Sequence, residues 1–418
     1  MKILMVTGCV YAKNCNRKSF TGLDYVVSDI AEKIGTESSV TVFTTTPYPR
    51  NSEMSNATIK SYSYLQLIPY VIKDGIEILT VLKKKRLRLR EKIKLIRALL
   101  ISEYLSNLCK REHFDLISMQ GVGHCNYILA RVSKRAQIPT VYSLHGLLSF
   151  GAPNIDYIDI IAEKEFLKFI RRTSNMITVV SEGIKTAICE KYGIDSKCVY
   201  VINNAVKFPQ VSNAFKINSL KRTRNIINII SVGTLCERKN QIQLVRAFEL
   251  LPDSIKKKCK ISLIGKDNTN GEIKKYIELN HLEDYIELYG FLSKEKLVEI
   301  YLNATFNVML SISEGFGLSM IEAAYFGIPT LTFDDLDAAH DIYTNDSMIL
   351  LKDRSDESVC KGLLNMIERK WNSEKIHNSA KRFNENIYLE YLRKYEKISE
   401  KRENIINDDF VDILLRKI

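Results

Sequence analysis

Short apolar runs alternate with helix-length amphipathic stretches along this chain, and they do so in two successive series. The first series of runs falls at 2–7, 40–43, 114–118, 140–143, 176–180 and 199–202. The second falls at 226–232, 260–264, 285–288, 306–310, 330–333 and 347–350. Helical patterns fill the gaps, among them 23–34, 126–136, 181–192, 241–250, 293–302 and 356–368. Strands separated by helices of this length cannot pair as hairpins, so the pattern implies parallel sheets. Between the series, residues 208–224 turn polar, with Pro209 and a basic cluster, as linkers do. The expected organisation is an N-terminal Rossmann-like domain over 1–207, a linker over 208–224 and a second such domain over 225–385. A helical tail over 386–418 follows, able to pack back on the first domain.

At 418 residues the chain exceeds what one core usually organises, which agrees with two domains. Its 45% hydrophobic and 26% charged content is that of a globular protein. No apolar run reaches the length of a membrane span. Residues 1–6 read as a strand and lack the apolar core and cleavage site of a secretory signal. Nine cysteines without a Cys-x-x-Cys pair suggest buried thiols in a reducing compartment. A cytoplasmic address is expected.

The run 306–310 stops just before Ser313-Glu314-Gly315-Phe316-Gly317-Leu318, and a helix pattern continues to Gly327 with Pro329 behind it. Such a strand, glycine turn and helix aim free N–H groups out of the sheet edge, where they favour a phosphate. Glu314 and Glu322 bracket the turn with seven residues between them. A carboxylate near a pyrophosphate site commonly holds a ribose hydroxyl. Taken alone, the turn reads as nucleotide binding, or as a tight turn that merely needs glycine.

With its glutamate pair and C-terminal position, this element resembles the E-x7-E motif of retaining glycosyltransferases of family 4, the glycosyl transferases group 1. Other stretches carry the same resemblance in order. They are Gly233-Thr234-Leu235-Cys236-Glu237-Arg238-Lys239-Asn240-Gln241, Leu263-Ile264-Gly265, Gly290-Phe291 and Ala323 to Pro329. In the first half they are Ser143-Leu144-His145-Gly146, Val180-Ser181-Glu182 and Val201 to Val206. The resemblance runs over roughly residues 1–385 and is patchy between Thr44 and Lys110. It implies an α/β fold of the GT-B type, two Rossmann-like doubly wound parallel-sheet domains facing an inter-domain cleft.

The resemblance also implies roles. Sugar would move from a UDP- or GDP-linked donor to a glycan, lipid-linked in cell-surface polysaccharide synthesis, with retention of configuration. His145, Glu314 and Lys239 would be catalytic. The donor would lie against Gly233, Thr234, Arg238, Lys239, Gly290, Phe291, Glu314, Gly315, Phe316, Gly317, Leu318 and Glu322. Lys239 and Arg238 would neutralise the departing pyrophosphate, a large catalytic lever. Glu314 would touch the transferred sugar, Glu322 the ribose, and His145 the donor near the reacting carbon. Family members more often carry an arginine where this chain has Thr234; either Arg238 takes that part or one phosphate contact is lost. Gly22 matches the loop that approaches phosphate and acceptor. Asp24 either orients an acceptor hydroxyl or favours the N-terminus of its helix. No acidic pair of the metal-dependent kind is evident, since Asp334, Asp335 and Asp337 follow a later strand. No cofactor and no metal is expected. An epimerase would need acid and base residues across the cleft that are not found.

The net charge is +12, and residues 1–205 hold 29 Lys and Arg against 18 Asp and Glu. Much of the excess lies between Lys83 and Arg97, nine basic residues against one acidic. With no Gly or Pro over 81–100, one helix is expected, placing Leu82, Leu89, Ile93, Ile96 and Leu100 on one face. A cationic amphipathic helix points to an anionic membrane surface, hence to peripheral association with the inner face of the membrane. No aromatics are interleaved for base stacking, which argues against nucleic acid. The rival functional reading is a catalytically inactive GT-B scaffold at the membrane. Retention of His145, Lys239, Glu314 and Glu322 together favours the enzyme.

Overall fold

The computed structural model describes all residues except 16–19, 50–51, 150–154, 174, 208–225, 337 and 407–409. The linker expected over 208–224 and Asp337 therefore lie outside the described residues. Among those described, the chain divides into two units. One holds the residues up to Ala205 together with Glu385–Ile418, and the other holds Val206–Asn384.

The first unit is built on a parallel sheet with strand order β3-β2-β1-β4-β5-β6-β7. Its strands are β1 (Lys2–Thr7), β2 (Ser39–Thr44), β3 (Ala57–Lys60), β4 (Leu116–Gln120), β5 (Thr140–Leu144), β6 (Ile177–Val179) and β7 (Val199–Val201). The central strands are apolar throughout because helices cover both faces of a parallel sheet. Ile3, Leu4, Met5 and Val6 of β1 are all wholly buried. Truncating such a side chain, as in Leu4→Ala, costs about 2–5 kcal/mol through lost transfer energy and the cavity left behind. Helices α1 (Gly22–Ile34), α2 (Tyr64–Lys73), α3 (Gly75–Lys83) and α4 (Leu89–Glu112) belong to this unit.

The second unit carries β8 (Ile227–Val232), β9 (Cys259–Ile264), β10 (Ile286–Gly290), β11 (Phe306–Met309), β12 (Thr330–Phe333) and β13 (Met348–Leu351). Their order is β10-β9-β8-β11-β12-β13, again all parallel. Each sheet reverses its strand order once, between β1 and β4 and between β8 and β11. Ligands of open α/β sheets bind outside the carboxyl ends of the strands at such a reversal.

Three local expectations change. Strand β3 was not expected, because it is a short edge strand whose residues are all at least partly exposed and so lacks an apolar run. The helix expected over 126–136 is two pieces, His124–Ile128 and Ala130–Ala136. The single helix expected over 81–100 is broken between α3 and α4. There, Glu91 accepts from the backbone N–H of Arg88 at 2.9 Å, starting a new helix, and Lys92 Nζ donates to the carbonyl of Leu82 at 2.7 Å. The expected apolar face therefore does not exist: Leu82, Leu89 and Ile93 are exposed while Leu100 is buried.

The chain returns to the first unit at its end. Asn404 accepts from the N–H of Met176 at 2.8 Å and donates to its carbonyl at 2.9 Å. The N–H of Ile406 donates to Ser133 Oγ at 3.0 Å, and the Phe410 ring stands edge-on to Phe166 at 5.4 Å.

Candidate donor site and histidine network

The loops after β8 and β11 leave the second sheet side by side, at its reversal of strand order. Gly233 directly follows β8 and sits close under the next loop. At Gly265 (φ +147°) an added Cβ would meet the carbonyl oxygen of Gly233 at 2.0 Å, so only glycine permits this approach. The helix Gln241–Glu249 follows, and Gln241 Nε2 reaches back to the carbonyl of Thr234 at 3.2 Å. Thr234 itself is exposed. The two loops are joined by Arg238. Its carbonyl accepts from the N–H of Ile312 at 2.8 Å, and its Nη1 donates to the carbonyl of Ser313 at 2.8 Å.

Three charged side chains converge here. Lys239 Nζ lies 2.5 Å from Glu314 Oε1, and Arg238 Nη1 lies 3.0 Å from the same oxygen. Burial alone would raise the Glu314 carboxyl, but the Lys239 and Arg238 charges outweigh it and hold the group below the usual carboxylate range. Glu314 is therefore an anion whose position is set by two cations.

The turn then opens the helix Leu318–Tyr325. Gly317 takes φ +74°, and a Cβ there would strike Met320 Cε at 2.6 Å and Met309 Cε at 2.8 Å. The left-handed backbone favours glycine here, and it leaves the helix start without a side-chain cap. Phe316 is buried edge-on to Phe383 at 5.8 Å, so its ring serves packing and only its backbone can face a ligand. Glu322 lies on the helix, where its Oε2 accepts from Tyr301 Oη at 2.7 Å. Burial pushes its carboxyl up, and the Tyr301 bond and the Lys294 and Lys239 charges only partly oppose this. Gly290 closes β10, and Phe291, the next residue, is 59% exposed. A cavity of about 730 Å³ opens at the same sheet edge, lined by Asn240, Arg246, Ile312, Asp335 and Arg354 among others. It adjoins the charged cluster in sequence but is not lined by Lys239, Glu314 or Glu322.

The first unit presents a different arrangement at its strand ends. His145 follows β5, and its Nε2 lies 2.7 Å from Gln120 Oε1, at the end of β4. The amide nitrogen of Gln120 donates to Ser118 Oγ at 2.7 Å, to Ser143 Oγ at 3.2 Å and to Tyr395 Oη at 3.2 Å. With that nitrogen engaged as donor, Gln120 Oε1 must accept, so Nε2 of His145 carries the proton. Nδ1 is buried and makes no hydrogen bond with the described residues. Burial pushes the imidazole down to about 4. Sequence reasoning missed Gln120, Tyr301 and Tyr395. No local motif marks any of them, since each acts on a residue 21 to 275 positions away.

Asp24 closes a capping box at the start of α1. Its Oδ2 accepts from the N–H of Thr21 at 2.7 Å, and Thr21 Oγ1 accepts from the N–H of Asp24 at 3.3 Å. Of the two readings of Asp24, this contact is the helix-start one. Gly22 is the exposed first residue of the same helix. Among the described residues no group of three or more His, Cys, Asp or Glu is arranged to hold a metal ion. All nine cysteines are free thiols.

Comparison with known proteins adds an independent line. Residues 26–208 match the family model described as Glycosyltransferase Family 4, and residues 212–389 match Glycosyl transferases group 1. An uncharacterized glycosyltransferase of Methanocaldococcus jannaschii is 24% identical over 58% of this chain and 62% of its own length. The O-antigen chain mannosyltransferase RfbU of Salmonella typhimurium is 23% identical over 57% of this chain and 62% of its own length. The chain thus spans about three fifths of the length of the curated relatives it matches. Among solved structures, the lipopolysaccharide outer core galactosyltransferase WaaB superposes with a TM-score of 0.66 at 15% identity, covering 95% of this chain and 99% of the other. HepE of Anabaena, in complex with UDP and glucose, gives 0.65 at 15% identity, covering 95% and 100%. The architecture is the GT-B fold.

Proposed function

The chain belongs to the glycosyltransferases of family 4, matched in both of its sheet-bearing halves, and from that premise we propose that it transfers a sugar from a nucleotide-sugar donor to a glycan acceptor in cell-surface polysaccharide synthesis. One observation carries the reading: Arg238, Lys239 and Glu314 converge at the strand-order reversal beside an uncapped helix start. A departing nucleoside diphosphate gains negative charge as the glycosidic bond breaks. Fixed cations and helix N–H groups aimed at that charge lower the barrier.

In this mechanism Lys239 exchanges its contact with Glu314 for the diphosphate. Arg238 Nη1 stays on Ser313 and Glu314 and holds the two loops in register, while its Nε and Nη2, which make no hydrogen bond with the described residues, turn to phosphate. Glu314, freed from Lys239, accepts from hydroxyls of the transferred sugar. Glu322 takes the ribose. His145 Nε2 donates a hydrogen bond to Gln120 Oε1, and the imidazole remains neutral. As the resemblance to retaining glycosyltransferases implies, the acceptor attacks on the donor's front face and configuration is retained. Neutralisation by Lys239, Arg238 and backbone N–H groups makes a metal ion unnecessary for donor binding.

The donor is UDP- or GDP-linked. HepE has been seen with UDP-glucose, which supports a nucleotide-sugar donor, and one relative from Campylobacter jejuni is named for a diphospho-undecaprenol substrate, which supports a lipid-linked acceptor. The exposed basic residues between Lys83 and Arg97 would draw the first unit to an anionic membrane. Incubation with a panel of UDP- and GDP-sugars, with and without a chelator, should release nucleotide from one donor class in both conditions. Release from none would leave the inactive-scaffold reading. Loss on chelation would remove the metal-independent one.

A further inference from the structure

Helices α2 and α3 have their polarity turned inside out. Ten of the seventeen large hydrophobic side chains exposed among the described residues fall within residues 64–93. Leu65 is 76% exposed, Ile72 90% and Ile76 84%. A surface helix of a water-soluble fold ordinarily turns such residues to the core. Here polar groups do the anchoring instead. Lys73 Nζ lies 2.6 Å from Glu103, and the Arg131 guanidinium makes paired bonds of 2.7 and 2.6 Å to Glu77. Tyr70 Oη accepts from Asn107 at 3.1 Å, and Leu67 and Val81 supply the buried apolar contacts. The helices are thus held by defined ion pairs with their apolar side outward.

The charge around this face selects what covers it. Lys83, Lys85 and Arg86 follow directly in the chain, are exposed, and form no ion pair with the described residues, and Arg90 is exposed beside them with its charge also felt by Asp156. An apolar strip bordered by exposed cations matches the acyl boundary and phosphate layer of an anionic bilayer. A second copy of the chain, docked face to face, would bring like charges together.

We propose that α2 and α3 insert their outer face, centred on Ile72 and Ile76, at the headgroup–acyl boundary of an anionic bilayer, seated by Lys83, Lys85, Arg86 and Arg90. The inference rests on the peripheral-membrane reading above and deepens it, because apolar insertion predicts binding that screening alone does not abolish.

The test is co-sedimentation of the full chain with phosphatidylglycerol-containing vesicles at low salt and in about 1 M NaCl, where the Debye length falls to about 3 Å. Wild type should bind in both, more weakly at high salt. The double variant Ile72→Glu, Ile76→Glu should lower binding at least about tenfold in both, with unchanged melting, since both side chains already face solvent. Lys85→Glu, Arg86→Glu should lower only the low-salt value. Complete release of wild type by salt, with no effect of the isoleucine changes, would overturn insertion while leaving electrostatic docking intact. A lipid-free dimer abolished by Ile72→Glu, Ile76→Glu would assign the face to a second copy and overturn the proposal. Nucleotide release on a water-soluble acceptor, measured in the same variants, should be unchanged. It keeps failure of this inference distinct from failure of the catalytic one.

Discussion

The two strand-end clusters solve opposite electrostatic problems. In the second unit the partly exposed Lys239 and Arg238 meet the buried Glu314, and their attraction holds Glu314 ionised. In the first, His145 bonds to Gln120, whose amide nitrogen is held by Ser118, Ser143 and Tyr395, all uncharged, and burial keeps the imidazole neutral. Both sit at carboxyl ends of parallel strands, yet one is prepared to exchange charge partners and the other to hold a fixed neutral donor. The contrast shows that strand-end position makes a residue available, whereas its neighbours decide what it can do.

The largest expected effect strikes the charged cluster. Glu314→Ala should lower turnover about 100-fold, the scale of a misplaced reacting group. It should leave diphosphate affinity unchanged or tighter, because Lys239 and Arg238 lose a competing anion. Steady-state kinetics and calorimetry on the same variant separate the two, and an equal fall in both would deny Glu314 a role in positioning the sugar. Next, Lys239→Ala should weaken diphosphate binding by about 1.5–3 kcal/mol, the value of a hydrogen bond to a charged group. Calorimetry with a chelator present checks this, and unchanged affinity would break the proposed partner exchange.

The neutral cluster should respond through pH. His145 titrates at about 4 in the fold, against an ordinary value of about 6.5 when unfolded. The unfolded chain therefore takes up the proton first, and His145 costs stability progressively as pH falls from 6.5 towards 4. Above that window it has no pH effect. Gln120→Glu would place a carboxylate 2.7 Å from Nε2 and should raise the histidine's titration point, moving that window upward. Imidazole NMR titration of both forms reads it directly, and an unmoved titration point would mean that Gln120 does not set the state of His145. The smallest effect is expected at Glu322. Glu322→Gln keeps an oxygen for Tyr301 and should raise the donor KM about fivefold, near 1 kcal/mol, with kcat unchanged.

What the sequence determined by itself was everything written in local pattern. Parallel strands covered on both sides must be apolar throughout, so β1, β8 and β11 were visible as runs. The turn from Glu314 to Leu318 was legible because its glycines sit within one strand, turn and helix. Strand β3 was not, because an edge strand carries no apolar signature. Only the tertiary structure joined Lys239 to Glu314 across 75 positions and Gln120 to Tyr395 across 275. It also broke the helix between Lys83 and Leu89 without Gly or Pro, through the contacts of Glu91 and Lys92. The same holds for α2 and α3. Amphipathic spacing says that a helix has two faces, but which face meets the protein depends on partners such as Glu103, Asn107 and Arg131. Those partners lie on other elements, and their placement is a property of the packed fold rather than of any stretch of sequence.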